Sequence, residues 1–102
     1  MVKARKLDNV VLLAKKLMQK GAYVISNHAK LRQGERNFTI EDIRNILGTG
    51  HHEKRKDEYK EEYDDWNYAI RGKTLDNDQA RICIAFIENK HFVVITVIRL
   101  EV

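Results

Sequence analysis

The spacing of hydrophobic residues near the start of the chain predicts a helix. Between Leu7 and Lys20 the apolar residues recur at intervals of three and four, which places them on one face of a helix. Lysines concentrate in the last turn, where they complement the helix dipole, and Gly21 follows as a stop signal. The sequence therefore predicts an amphipathic first helix from Leu7 to Lys20.

A short extended segment and a second helix are predicted next. The apolar, partly β-branched residues Ala22–Ile25 favour one brief strand or an extended connector. Ser26 can cap the following helix, because its hydroxyl can accept a hydrogen bond from a backbone N–H in the first turn. We expect this second helix to run to about Gln33, with Gly34 ending it.

A capping signal marks the start of a third helix. Thr39 is followed three residues later by Asp42, which is the spacing of a capping box with the shorter acid. The isoleucines and leucine behind this box lie on one helical face. The sequence therefore predicts a helix over Ile40–Leu47, with Gly48 and Gly50 terminating it.

The second half of the chain changes to a period of two, which is typical of strands. The segment His51–Lys60 is highly charged and weakly periodic, so it is either an exposed edge strand or a mobile loop, with the strand slightly favoured. Asp65–Lys73 alternates between an apolar face and a basic face. Ala80–Ile87 is apolar on both faces, as expected of a central strand, and Phe92–Val102 is another mostly apolar strand.

Helices followed by an antiparallel meander predict an α+β fold, with the N-terminal helices packed on one face of the sheet. With 102 residues the chain has room for one domain, spanning residues 1–102.

The composition, with 43% hydrophobic and 33% charged residues, is typical of a foldable, soluble protein. The formal net charge of +4 attracts anions and permits nucleic acid as a partner without demonstrating it.

The single cysteine and the lack of long apolar stretches narrow the cellular context. Cys83 cannot form an internal disulfide or a cysteine-based zinc site, which fits a reducing compartment. No apolar stretch approaches the roughly 20 residues needed to span a bilayer, and the first residues do not resemble a signal peptide. We therefore expect a cytoplasmic protein that does not bind membranes.

The common catalytic signatures are missing, and the histidines do not predict a metal site. There is no glycine-rich phosphate loop, no G-x-S-x-G elbow and no H-E-x-x-H motif. His51 and His52 are adjacent, so in a strand their side chains leave opposite faces, and a solvated surface is the plainer interpretation. His91 lies in a predicted turn, where we expect it to be exposed, and Cys83 in a central strand is expected to be inert packing.

His28 is the histidine that best fits a binding role. It lies in the first turn of the second predicted helix, and Arg32 follows four residues later on the same face. A helix N-terminus with an adjacent arginine is suited to holding a phosphate. The alternative, with similar odds, is that His28 packs locally while Arg32 pairs with Glu35 or Glu41.

Basic residues also gather on the predicted sheet. Arg71 and Lys73 project from the same side of one strand, and Arg81 follows on the next. If Arg81 and Arg99 share that side, four cations converge on a surface with few acids nearby, where a phosphodiester backbone would fit. An ordinary solvated sheet face is the alternative and is slightly favoured by alternation alone. Tyr68 shares the opposite, apolar side of the strand and is expected in the core.

Several short motifs together carry a family resemblance. In order they are Ser26-x-His28-Ala29, Arg32, Glu35-Arg36, Thr39-x-x-Asp42-Ile43, Ile46-Leu47, Gly50, Tyr68-x-Ile70-x-Gly72-Lys73 and Val94-Ile95-Thr96-Val97. From about Tyr23 to Arg99 the chain resembles the domain-of-unknown-function family 4258, which is similar to the RelE-like toxins of toxin–antitoxin pairs. Its leading helix is also similar to that of MqsR-like toxins, which share the same broad fold.

The resemblance implies a curved antiparallel sheet and an endoribonuclease that cleaves messenger RNA without a metal or cofactor. In such enzymes the ribose 2′-hydroxyl attacks the adjacent phosphate, and side chains move protons and stabilise charge. The candidates for these roles are Lys73, Arg71 and Arg81 for charge stabilisation, His28 or Tyr68 for proton transfer, Arg99 as a basic residue near the C-terminus, and Arg32 and Arg36 for RNA binding. The family assigns no catalytic role to the positions of His28 and Arg32.

The implied partners are RNA, free or on the ribosome, and a cognate antitoxin, for which a protein joining a zinc-ribbon to a helix-turn-helix is common in the family. Two alternatives stay open: a nonenzymatic module of this fold that binds protein or nucleic acid, and a toxin that acts on a protein target such as a topoisomerase. The acidic stretch Asp57–Asp65 would repel phosphates unless it faces away from the RNA. It can instead contact a basic region of a partner.

Overall fold

The computed structural model describes residues 4–30 and 38–100, which form a mixed α+β structure with an open sheet of six strands and a few helices. Two 3-10 turns, at Lys54–Lys56 and Glu61–Tyr63, interrupt the charged middle of the chain. The longer elements are α1 Val10–Gln19, β1 Tyr23–Ile25, α2 Ile40–Thr49, β2 His51–His52, β3 Glu58–Lys60, β4 Asp65–Lys73, β5 Gln79–Ile87 and β6 His91–Arg99.

The three long strands form the predicted antiparallel meander. β5 lies between β4 and β6, and β2 and β3 both pair with the outer edge of β4. An antiparallel sheet was expected, but β1 pairs parallel to β6 at the opposite edge of the sheet. A parallel pair needs a long connection, and here everything between β1 and β6 supplies it.

The charged segment His51–Lys60 contains two short edge strands, as the favoured alternative predicted, separated by a 3-10 turn. β2 and β3 are short edge strands, and the turn between them leaves the ladder. Across this gap the backbone N–H of Glu53 donates to the Ala69 carbonyl oxygen at 2.8 Å, and Asp57 Oδ1 accepts from the Ala69 N–H at 2.9 Å. A carboxylate therefore replaces the missing backbone acceptor beside β4.

α1 begins at Val10 and not at Leu7. The backbone N–H of Leu7 donates to the Tyr68 hydroxyl at 3.0 Å, so this residue belongs to an extended segment that lies against the sheet. At the other end Gly21 has a φ of 71°, a left-handed conformation that ends the helix at little steric cost. The predicted first helix is confirmed with a later start.

The helical turn after β1 starts as predicted. The Ser26 hydroxyl oxygen accepts a hydrogen bond from the Ala29 N–H at 3.1 Å, and residues 27–30 are helical. The same hydroxyl is 3.1 Å from the Ile95 carbonyl oxygen, to which it donates, and this bond ties the turn to β6. The predicted end of this helix at Gln33 lies outside the described residues.

The capping box of α2 is present. Thr39 Oγ1 accepts from the Asp42 N–H at 3.1 Å, and Asp42 Oδ2 accepts from the Thr39 N–H at 3.0 Å. The prediction that Gly48 ends this helix was wrong, because the helix continues to Thr49 and only Gly50 caps it. Gly48 lies on the exposed side, where no packing contact stops another turn.

The core lies between the helices and one face of the sheet. α2 approaches β4 so closely that a methyl group added at Gly72 or at Gly50 would collide with the Ile46 carbonyl oxygen. This contact fixes the helix layer on the inner face and leaves the other face uncovered by α1 or α2. The buried apolar residues of the helices and strands include Val10, Ala14, Leu17, Ile43, Ile46, Leu47, Tyr68, Ile70, Ile82, Ile84, Phe92, Val94 and Val97.

Candidate functional site

The sheet face opposite the helices, here called the open face, carries the polar side chains of β4 and β5. Tyr68 and Ile70 point into the core, so the residues that alternate with them point outward. Arg71 on β4 and Arg81 on β5 are direct cross-strand partners on this face. The sequence predicted this pair correctly.

A buried carboxylate that the sequence did not identify joins the two arginines. Glu53 Oε1 lies 2.6 Å from Arg81 Nε, and Glu53 Oε2 lies 3.7 Å from Arg71 Nη1. The hydrogen bond from Arg81 holds the pKa of Glu53 below its usual value. The expectation of few acids near these cations was therefore wrong. Glu53, Arg71 and Arg81 form what we call the arginine cluster.

The arginine cluster keeps a net positive charge and free donor capacity. Two guanidinium groups face one carboxylate, and Arg71 Nε also donates to Gln79 Oε1 at 3.3 Å. Each guanidinium has five N–H donors, so both retain donors that can bind an oxyanion. Lys73 lies exposed at the end of β4 on the same face, and within the described part of the chain it forms no ion pair. Three of the four predicted cations therefore share one face.

Arg99 lies on the other side of the sheet. It is the register partner of Ala80, which is buried in the core. Its guanidinium lies 4.9 Å from the Phe38 ring centroid, and its Nε lies 3.3 Å from Asp78 Oδ2. The expected convergence of all four cations is therefore not observed.

A register shift explains the position of Arg99. β5 and β6 have an irregularity at Cys83 and Ile84, where Thr96 and Val94 are the successive partners and Ile95 is skipped. An extra residue in one strand moves every later side chain to the opposite face. Val97 therefore joins Val94 in the core, and Arg99 follows Val97 to the helix side.

Tyr68 is also placed away from the cations. Its side chain is buried in the core, and its hydroxyl accepts the hydrogen bond from Leu7. Burial raises the pKa of Tyr68 above its usual value, which makes the phenol a poorer proton donor. The implied role of Tyr68 in proton transfer at the arginine cluster is therefore not compatible with its location.

His28 lies at a pocket of about 250 Å³ on the open face. The helical turn after β1 positions His28, and the first 3-10 turn and β3 form the facing wall. Strands β4, β5 and β6 each contribute one polar side chain to the floor. The residues that line this polar pocket are His28, Lys56, Glu58, Lys60, Asn67, Cys83, Ile95 and Thr96.

The wall of the polar pocket combines cations with a carboxylate. Lys60 Nζ lies 2.9 Å from Glu58 Oε2, and this hydrogen bond raises the pKa of Lys60, so its ammonium stays charged. Lys56 is exposed and has no ion pair within the described residues. The His28 imidazole can accept a proton, and the two lysine ammonium groups can bind an anion or donate a proton to it, while Glu58 is engaged by Lys60. Sequence reasoning missed Lys56, Glu58 and Lys60, although their period-two spacing in a charged tract is a usable signal.

Other predicted residues of this region fall elsewhere. Arg32 and Arg36 lie outside the described residues, so their predicted contact with RNA stays a prediction. His51 is exposed beside Arg71. The expectation that His91 is exposed in a turn was wrong, because His91 begins β6, pairs with Ile87 and is half-buried. Burial raises the pKa of the Cys83 thiol, which fits the expectation of an unreactive cysteine.

His52 is half-buried, with a side chain that is only 9% exposed, which corrects the expectation that both adjacent histidines are solvated. Its Nε2 lies 2.8 Å from Asp57 Oδ2, and the Lys6 ammonium lies 3.1 Å from the same oxygen. With the Ala69 N–H at its other oxygen, Asp57 has three internal partners and a side chain shielded from solvent, so it is not available to repel RNA or to bind a protein. Among the described residues, no group of three or more His, Cys, Asp or Glu side chains is arranged to hold a metal ion.

Comparison with known proteins identifies the family. Neither the curated proteins nor the solved structures contain a significant match to the chain. Within the described residues, no helix is both long enough and apolar enough to cross a lipid bilayer. The family model described as "Domain of unknown function (DUF4258)" matches residues 25–99, which is more than half of the chain and includes His28, the polar pocket and the arginine cluster. The chain therefore belongs to the DUF4258 family.

Proposed function

We propose that the chain is the toxin of a toxin–antitoxin pair and that it cleaves messenger RNA on the open face without a metal ion. The observation that carries the proposal is the meeting of His28 with Lys56, Glu58 and Lys60 in one pocket. The arginine cluster on the same face supplies further anion-binding donors. Helices on one face and the β4–β5–β6 meander support a relation to the RelE-like fold.

The RNA backbone would cross the open face with one phosphate at the arginine cluster and the scissile phosphate in the polar pocket. Two arginines and Lys73 bind the first phosphate by charge-assisted hydrogen bonds. This contact positions the chain and carries no base information. A single-stranded substrate fits best, because a sheet face can take an unpaired strand laid across it.

Cleavage in the polar pocket follows as a transesterification. His28 takes the proton of the ribose 2′-hydroxyl, and the 2′-oxygen attacks the adjacent phosphorus. The bond from phosphorus to the 5′-oxygen breaks, which leaves a 2′,3′-cyclic phosphate on one fragment. Lys56 donates a proton to the departing 5′-oxygen, and Lys60, held charged by Glu58, stabilises the phosphorane. Proton exchange with solvent then returns His28 and Lys56 to their starting protonation states.

A nonenzymatic binding module is the second candidate, and the existing ion pairs favour it. Glu53 already neutralises part of the arginine cluster, and Glu58 already pairs with Lys60. Paired cations recognise a partner without needing to move protons. In this alternative the open face binds RNA or an acidic protein, and no bond is broken.

A cognate antitoxin is part of the proposal, and a zinc-ribbon and helix-turn-helix protein is the expected kind. Both proteins would act in the cytoplasm, where RNA is available free or on the ribosome. Expression of the chain alone should arrest growth, and co-expression of the neighbouring antitoxin should restore it. Growth that continues at high expression levels would contradict the toxin assignment.

The direct test is cleavage of single-stranded RNA by the purified chain with EDTA present. We expect fragments that end in a 2′,3′-cyclic phosphate, and we expect His28→Ala to lower the cleavage rate at least about a hundredfold. His91→Ala is the matched control, because His91 lies outside the polar pocket, and it should keep full activity. RNA that binds and stays intact, with and without ribosomes, would support the nonenzymatic module.

A further inference from the structure

The open face ends in a second pocket of different chemistry. This apolar pocket has a volume of about 390 Å³ and lies where β5 and β6 meet their connecting turn. Its two most exposed apolar side chains are Tyr63 at 50% and Ile87 at 42% exposure. The lining includes Tyr63, Asp65, Ala85, Ile87, Val93 and Ile95.

The apolar surface continues beyond the pocket to the edge of the sheet. Val24 on β1 is the register partner of Val93, and Val93 is the partner of Ala85 on β5. Val24 is 49% exposed, so an apolar strip crosses three neighbouring strands. Isolated exposed apolar residues are ordinary on proteins, whereas contiguous exposed apolar surface is typical of interaction sites.

Acidic residues border this apolar strip. Asp65 lines the pocket, and Glu61 and Glu62 form the exposed 3-10 turn that leads to Tyr63. Within the described residues neither of these two glutamates forms an ion pair. Glu88 follows Ile87 on the other side, where Lys90 is the cation of the same turn. Negative charge therefore predominates around the pocket.

The apolar pocket and the polar pocket share a wall. Ile95 lines both of them. The Tyr63 ring lines the apolar pocket, while its hydroxyl donates to Oδ1 of Asn67, which lines the polar pocket. A segment that fills the apolar pocket is therefore separated from the polar pocket only by the side chains that the two pockets share.

We infer that the apolar strip and its acidic border dock a protein segment whose apolar side chains are flanked by lysine or arginine. Apolar side chains of the partner would fill the pocket between Tyr63 and Ile87. Its cations would meet Glu61, Glu62 and Asp65. RNA is a poorer occupant, because the same carboxylates repel a phosphate backbone.

Docking at this site would also control access to the polar pocket. A partner seated against Ile95 covers one side of the polar pocket and excludes a nucleic acid strand from it. This regulatory part rests on the proposed function, whereas docking itself does not. Binding and cleavage can therefore be tested separately.

A library of random 12-residue peptides displayed on phage, selected on the purified full chain, tests the docking site. We expect the enriched peptides to combine aliphatic or aromatic residues with an excess of lysine and arginine. A fluorescein-labelled enriched peptide should bind Ile87→Ser at least tenfold more weakly than the wild-type chain. Leu75→Ser is the matched control, because Leu75 is 60% exposed in the β4–β5 turn, at the other end of β5 from Ile87. This variant should bind the peptide like wild type.

Reversing the charge of one border residue tests the docking site independently, because this substitution does not change the apolar lining of the pocket. Glu62→Lys should weaken peptide binding at least fivefold at low salt. Asp76 is an exposed acid of the β4–β5 turn, and Asp76→Lys should leave the affinity for the peptide unchanged.

Enriched peptides with net negative charge, or equal peptide binding by Ile87→Ser and wild type, would overturn the inference. A single-stranded RNA 20-mer that loses affinity on Ile87→Ser would overturn it in favour of RNA. A dimer that dissociates on Ile87→Ser would overturn it in favour of a second copy of the chain.

The peptide also reports on regulation. If the chain cleaves RNA, the enriched peptide should inhibit wild-type cleavage and should inhibit Ile87→Ser at least tenfold less. Cleavage that continues at saturating peptide would refute the regulatory part. A chain that binds the peptide and never cleaves RNA would refute the proposed function and leave the docking site standing.

Discussion

Glu53 and Arg81 form a hydrogen bond of 2.6 Å beneath the open face, between a carboxylate that is 7% exposed and a guanidinium of the central strand. The bond fixes the guanidinium plane and cancels one positive charge where an RNA phosphate is proposed to bind. Glu53 therefore both orients the arginine cluster and limits its attraction for anions. The two effects can be separated by substitution.

Replacing Glu53 by glutamine should strengthen RNA binding. The amide can still accept from Arg81, while the cluster gains one unit of positive charge, so the plot of log affinity against log salt should become steeper by about 0.7. Fluorescence anisotropy with a labelled single-stranded RNA at several salt concentrations measures this slope. Glu41→Gln is the control, because Glu41 is an exposed residue of α2 on the helix side. An unchanged slope in Glu53→Gln would place RNA away from the cluster.

Arg71 and Arg99 provide a matched comparison of the two sheet faces. Arg71→Ala, alone or with Lys73→Ala, should weaken RNA binding severalfold and relieve growth arrest without unfolding the chain. Arg99→Ala should leave RNA binding unchanged and lower the free energy of unfolding by about 1 kcal/mol, because Arg99 packs on Phe38 beside Asp78. Binding and urea unfolding of the same samples decide the comparison. Equal loss of RNA binding in both variants would contradict the assigned faces.

Gly72 and Gly48 test the close contact between α2 and β4. Gly72→Ala should lower the free energy of unfolding by about 3 kcal/mol, because the new methyl group would collide with the Ile46 carbonyl oxygen. Gly48→Ala should raise it by about 0.5 to 1 kcal/mol, since nothing lies within 4 Å and alanine favours the helix. Chemical denaturation measures both. A tolerated Gly72→Ala would mean that the helix lies farther from the sheet.

Asp42 should make stability depend on pH at the acid end. Burial alone would raise the pKa of Asp42, but hydrogen bonds from Leu75 and Thr39 hold it below the ordinary value of 3.8. The carboxylate therefore contributes its full stabilisation above that value and loses it as the pH falls through the lower folded pKa. Asp42→Asn should cost about 1 kcal/mol at neutral pH, and the difference from wild type should shrink below about pH 4. A constant difference from pH 7 to pH 2 would contradict this role.

The sequence was most informative where a signal is local. The capping box of Thr39 and Asp42, the alternation of β4 and the meander order all depend on residues close together in the chain. The capping box and the meander order are present, and β4 turns Tyr68 and Ile70 into the core as predicted, although Asn67 and Ala69 on its other face are buried as well. The parallel pairing of β1 with β6 joins distant segments, and no local pattern encodes it.

The site was less predictable because it depends on register and on long-range partners. The irregularity opposite Ile95 reverses the face of Arg99, and alternation counted from Phe92 cannot detect it. Glu53 meets Arg81 across 28 positions of sequence. His28, Arg71 and Arg81 were identified from residue type and period, whereas the groups that surround them required the fold.

The most direct test of the open face as an RNA site is a titration of the ¹⁵N-labelled His28→Ala chain with a short single-stranded RNA, followed by amide chemical shifts. The His28→Ala chain is used because the proposed function predicts that it cleaves RNA at least about a hundredfold more slowly than wild type. We predict that the largest shifts occur at Asn67, Cys83 and Thr96, which line the floor of the polar pocket on three neighbouring strands, and at Arg71 and Arg81. Shifts confined to the helix side around Phe38 and Arg99, or no shifts at millimolar RNA, would contradict the account.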